Sequence, residues 1–275
     1  MRRMYLVPNV ITAFGLACGL YVIFKVNMIE PGSGDYEVIL TSALLLLVAA
    51  LADFIDGAVA RAIHAESEFG YQFDSLADAI SFGVAPAVLF LKSLSVEQGT
   101  LFSFLAASGA MVYALCGVLR LVRFNVLEKK QDPDDKLAKK NFTGLPIPAA
   151  AAGAVSANLF FLSPVLQEWT AVHFHTRVIV LFCVMILLGY FMVSKWKFPS
   201  LKSLNFRMPS FPLVVLTVLA SVFILYGILH FFSIVLAVLS WAYILLAVVL
   251  SFIRIIVGKK SKTLADFEPD DDMDF

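Results

Sequence analysis

Apolar residues in this chain gather in runs of about twenty, separated by short polar segments and without the alternation of a half-buried strand. A helix needs ~20 such residues to cross a bilayer core of ~30 Å. Backbone groups in lipid must be satisfied internally, so runs this apolar and unalternating predict helices. Eight spans can be drawn, at 6–26, 38–62, 71–91, 100–124, 145–166, 177–194, 211–229 and 232–253. The predicted fold class is therefore all-α, a polytopic transmembrane helix bundle.

Composition agrees: 60% of the residues are hydrophobic and 15% charged, against roughly half and a quarter in a soluble domain. Arg2 and Arg3 before an apolar stretch resemble the start of a signal peptide. Leu6 to Val26 is of span length, however, and no small-residue cleavage site ends it, so a retained first span is expected. Cys18, Cys116 and Cys183 each lie within an apolar run with no paired spacing and read as small buried residues.

The formal net charge is zero, but its placement is informative. With the spans drawn above, 18 of the 21 basic residues fall on one side of the membrane, leaving Lys25, Lys92 and Arg177 on the other. An excess of Lys and Arg marks the cytoplasmic side. Both termini, the charged loop from Glu128 to Asn141 and the basic loop from Trp196 to Arg207 are thus expected there, while His173, His175 and His230 lie on the opposite side. The acidic tail after Ala265 has little to bury and reads as disordered. No nucleic-acid partner is expected.

Ionisable residues inside apolar spans are expensive and mark function by default. The second span ends with Asp53, Asp56, Gly57, Ala60 and Arg61, and the third opens with Gly70, Asp74 and Asp78. At ~100° per residue, Asp53, Asp56, Gly57 and Ala60 share one helix face, and Gly70, Asp74 and Asp78 share another. The short connection makes these spans antiparallel neighbours, so the faces can meet. Four carboxylates brought together need compensation, for which a divalent cation is the natural agent. Oxygen-only ligands favour Mg²⁺, Mn²⁺ or Ca²⁺ over zinc, and His64 stands alone. Small residues leave room for a phosphorylated group against the backbone, and Arg61 can neutralise phosphate. The competing readings are carboxylates lining an ion path, as in a cation transporter, and a purely structural helix pair.

The pattern Asp53-x2-Asp56-Gly57-x2-Ala60-Arg61-x8-Gly70-x3-Asp74-x3-Asp78 resembles the complete signature of the CDP-alcohol phosphotransferases. Chance agreement at all its positions is roughly one in 10⁹ per starting point. The resemblance implies a six-helix catalytic core and transfer of a phosphatidyl group from a CDP-linked lipid to an alcohol, with release of CMP. It also implies metal ligation, with Mg²⁺ or Mn²⁺, by Asp53, Asp56, Asp74 and Asp78, the last being the general base. Asp53, Gly57, Ala60, Arg61 and Gly70 fall at the family's CDP-binding positions, and Asn9 and Thr12 of the family-like Pro8–Thr12 segment are expected to face the diphosphate.

Three further segments, Phe73–Pro86, Arg120–Asn125 and Phe142–Pro148, are similar to the phosphatidylserine synthase branch of that family. This implies CDP-diacylglycerol and L-serine as substrates. Arg120 or Arg123 can meet the serine carboxylate, with Asn125, Lys140 and Thr143 as further serine-site candidates. Glycerol 3-phosphate or inositol as acceptor, or an ether-lipid donor, are the alternatives within the family. The expected organisation is a six-helix catalytic membrane domain (1–209), an additional two-helix membrane hairpin (210–255) and the tail (256–275). A homodimer in a bacterial cytoplasmic (inner) membrane, with a cytoplasmic active site, completes the expectation.

Overall fold

A computed structural model of the chain describes residues 6–28, 36–63, 67–94, 96–97, 99–130, 141–169, 173–194, 196–199, 227 and 231–257. The first two spans form antiparallel helices α1 (Leu6–Asn27) and α2 (Tyr36–Ala62). Their close approach follows from small residues: Gly15 of α1 lies against Ala49 and Ala52 of α2. One turn further on, a Cβ at Gly19 would collide with Ser81. This G-x-x-x-G spacing lets helix backbones meet where there is no apolar driving force between them.

The third span departs from the continuous helix predicted over 71–91. Helix α3 (Glu68–Asp78) gives way to a π-helical turn over Ala79–Val84 and then to α4 (Ala85–Ser93). Pro86 explains the change: it offers no N–H to the preceding turn. The local ladder widens, so that the Ala85 N–H reaches the Ile80 carbonyl. The Phe82 carbonyl, whose α-helical partner would be the Pro86 nitrogen, instead accepts a hydrogen bond from the fully buried Tyr113 hydroxyl at 2.9 Å.

Tyr113 belongs to α5 (Leu101–Lys130), which packs along α8 (Phe174–Val193). Between α5 and α8 in sequence come β1 (Asn141–Thr143), α6 (Ile147–Leu162) and α7 (Pro164–Trp169). Helix α6 has no exposed residue, with Ile147, Ala150, Ala154 and Leu159 buried. It contacts α2, α4, α8 and the last helix, α9 (Phe232–Val257). Ile244 and Ala247 of α9 join the same core as Met185 and Leu188 of α8. Ser156 and Ser240 share a hydrogen bond across α6 and α9 at 2.9 Å.

Strand β1 pairs antiparallel with β2 (Lys197–Pro199), a two-stranded ribbon not foreseen in the all-helical reading. Gly144 follows with φ of +81°, where a side chain would strike the Met192 carbonyl. Its N–H bonds to the Trp196 carbonyl and that of Leu145 to the Phe191 carbonyl, which seats the start of α6 on the end of α8. At the opposite end, Arg177 donates to the Ser93 carbonyl at 2.9 Å and Ser93 Oγ to Asn158 at 2.9 Å, tying α4, α6 and α8 together.

Large apolar side chains such as Phe14, Leu51, Leu115 and Leu246 are exposed around the bundle, as expected of surfaces that meet lipid. Among the described residues, six helical segments are long and apolar enough to cross a membrane. The expected span at 145–166 is a shorter helix of 16 residues followed by α7, and that at 211–229 lies outside the described residues apart from Gly227.

Candidate active site

Helix α2 carries Asp53 and Asp56 on one face, and α3 presents Asp74 and Asp78 towards them. One carboxylate oxygen from each of Asp53, Asp56 and Asp74 lies within 4.8 Å of the others. Asp78, one turn deeper, joins all three in lining a small cavity of about 10 Å³, whose walls also include Thr12 and Ser81. That is room for about one water-sized sphere. Asp56 is only 4% exposed, and Thr12 Oγ1 donates to its Oδ2 at 2.5 Å, so α1 completes the wall.

A second cavity, of about 640 Å³, adjoins this cluster and shares Thr12, Asp56 and Asp74 with it. Asn9, Gly57, Ala60, Arg61 and Gly70 all line it. The helix ends explain why they converge: Asn9 is near the start of α1, Ala60 and Arg61 close α2, and Gly70 opens α3. Ser67 caps α3 by accepting the Gly70 N–H at 3.0 Å. The Arg61 guanidinium folds back over Gly57, where an added Cβ would lie 3.3 Å from it.

The residues predicted for an acceptor are more dispersed. Arg120 is 8% exposed, its Nε buried without a hydrogen-bond partner, and it lies within electrostatic range of Asp78 and of Tyr243 on α9. Arg123 Nη1 donates to the Val193 carbonyl at 2.7 Å, at the C-terminal end of α8. Asn125 accepts from the Tyr71 hydroxyl at 2.7 Å and donates to Ser75 Oγ at 3.0 Å, bracing α3 against α5. Thr143 sits in β1 opposite Lys197, and Lys140 lies outside the described residues. None of Arg120, Arg123, Asn125 and Thr143 lines the large cavity.

Sequence reasoning missed Ser67, Glu68, Tyr71 and Phe124 in the large cavity and Ser81 in the small one. Ser67 before an acidic residue carried a cap signal. The others had no local signature.

The family model described as CDP-alcohol phosphatidyltransferase matches residues 5–253, nearly the whole chain. The chain belongs to that family. Among similar proteins, a CDP-diacylglycerol–serine O-phosphatidyltransferase of Helicobacter pylori (strain ATCC 700392 / 26695) is 29% identical over 84% of this chain and 92% of its own length. One of the same name from Bacillus subtilis (strain 168) is 33% identical over 71% of this chain and 91% of its own. An archaetidylserine synthase of Methanothermobacter thermautotrophicus is 35% identical over 65% of this chain and 70% of its own. As a CDP-alcohol phosphatidyltransferase, the chain is an enzyme embedded in the membrane, and the carboxylate cluster with its adjoining cavity is its candidate catalytic centre.

Proposed function

We propose that this protein transfers the phosphatidyl group of CDP-diacylglycerol to the hydroxyl of L-serine, forming phosphatidylserine and releasing CMP. One observation carries the assignment. Carboxylates from two adjoining helices converge within 4.8 Å beside a cavity of about 640 Å³, in a chain whose relatives bear the serine-transferase name.

The donor set is carboxylate oxygen alone, which suits a hard divalent cation, Mg²⁺ or Mn²⁺. Asp53, Asp56 and Asp74 hold it in this proposal, with Asp78 beside them and Thr12 orienting the Asp56 carboxylate. Such a cation supplies charge neutralisation at the diphosphate. Asn9, Thr12, Gly57, Ala60, Arg61 and Gly70 receive the CDP moiety, and Arg61 places positive charge against a phosphate. Asp78 takes the proton from the serine hydroxyl as that oxygen bonds to the phosphatidyl phosphorus and the bond to the CMP oxygen breaks. Arg120 is the better partner for the serine carboxylate, because the Arg123 guanidinium already serves the end of α8.

The distribution of basic residues supports a cytoplasmic site and cytoplasmic termini in a bacterial inner membrane. A homodimer belongs to the same proposal. The archaetidylserine synthase relative favours one variation, an ether-linked donor with the same acceptor.

Purified protein with Mn²⁺ or Mg²⁺ should release CMP from CDP-diacylglycerol when given L-serine. A panel with glycerol 3-phosphate, inositol and an ether-lipid donor tests the choice. Turnover with glycerol 3-phosphate or inositol and none with serine would reject the serine assignment.

A further inference from the structure

Ser81 stands apart from the other buried serines of these helices. Ser42, Ser93 and Ser156 each return their hydroxyl to a carbonyl three or four residues back in the same helix, the usual way for a helical serine to be satisfied. Ser81 does not. It is 2% exposed, and its Oγ is buried without any hydrogen-bond partner. It lies in the π-helical turn three residues beyond Asp78, where the regular backbone ladder is interrupted. Gly19 of α1 is pressed against it, so closely that even a methyl group there would collide with Oγ. The side chain is thereby confined, and it lines the same small cavity as the four aspartates.

An orphan hydroxyl donor facing a nest of acceptor carboxylates lacks only an oxygen at the right place. We propose that Ser81 is a positioning residue of the divalent-cation centre, donating its Oγ–H to an anionic or water oxygen at the cavity floor once the aspartates hold their cation. This role depends on the metal centre proposed above. Outer hydrogen-bond partners of this kind fix the orientation of ligands and the affinity of the ion.

The test is direct Mn²⁺ titration of the full-length protein in detergent, read by the electron paramagnetic resonance signal of free Mn²⁺, alongside melting of the metal-free protein. Wild type, Ser81→Ala and Asp56→Asn are compared. Ser81→Ala should bind Mn²⁺ about 10-fold or more weakly, with metal-free melting unchanged because the hydroxyl has no partner to lose. Binding equal to wild type in Ser81→Ala, with binding lost in Asp56→Asn, overturns the Ser81 role and leaves the metal centre standing. A wild type that takes up no Mn²⁺ overturns both. Should Ser81→Ala melt early, the titration is run at a temperature where circular dichroism shows the variant folded: reduced Mn²⁺ affinity there supports the role, and unchanged affinity overturns it.

Discussion

At the scale of single residues, similar side chains have been given different tasks by their neighbours. Asp53, Asp56 and Asp74 meet as a triad, whereas Asp78 stands one turn deeper, within electrostatic range of Arg120. Replacing Asp78 by Asn keeps the shape and removes the proposed base. Turnover should fall by about 10²–10⁴ while Mn²⁺ titration still detects binding by the triad; near-normal turnover would exclude the base role. The two arginines divide in the same manner. Arg123→Ala removes a charged hydrogen bond to the last turn of α8 and should lower stability by about 1.5–3 kcal/mol, visible in melting. Arg120→Ala should chiefly raise the KM for serine, with that for the lipid donor little changed; equal effects on both substrates would refute the division. The aspartate faces were legible in the sequence because i, i+3 and i+4 spacings determine which side chains share a helix face. The tasks of Arg123 and Asn125 were not, because their partners Val193, Tyr71 and Ser75 lie some 50 to 70 positions away.

Among the elements, the interrupted third span matters most. Its π-helical turn lies directly below Asp78 and shifts the phase of α4 relative to α3, the kind of irregularity found at functional positions. Hydrophobic periodicity is blind to such a turn, since the uncharged run from Ala79 to Pro86 continues into α4 without a break. Its signal was Pro86 alone, which reads equally well as a simple boundary. Tyr113→Phe tests how far the turn depends on α5. Without the phenol, the buried Phe82 carbonyl loses its donor, at a cost of about 1–3 kcal/mol. Melting should fall accordingly, with kcat falling beside it if Asp78 is displaced. Unchanged melting would show that the carbonyl finds another partner. Strand pairing of β1 with β2 was likewise hidden, because three-residue strands carry no recognisable alternation.

For the whole molecule, composition and run length made the membrane bundle readable, and seven of the eight drawn segments coincide with helices of the described residues. What they could not show is which helix is central. The burial of α6 follows from neighbours on all sides, and its apolar sequence would suit lipid equally well. Orientation is open to a labelling test in intact bacteria. A cysteine placed at Ser33 should react with an impermeant maleimide from outside, and one at Asp270 only after lysis; the reverse pattern would invert the proposed topology.

Thr12, Asp53, Asp56, Asp74 and Asp78 all reside in α1, α2 and α3, consecutive in the chain. Each aspartate alone would be costly for a nascent helix to carry into lipid. Because Thr12 and all four aspartates are synthesised in succession, these helices are suited to leaving the translocon as one unit. The small acidic cavity can then form while the ribosome is still making α5, which later adds Phe124 to the wall of the large one.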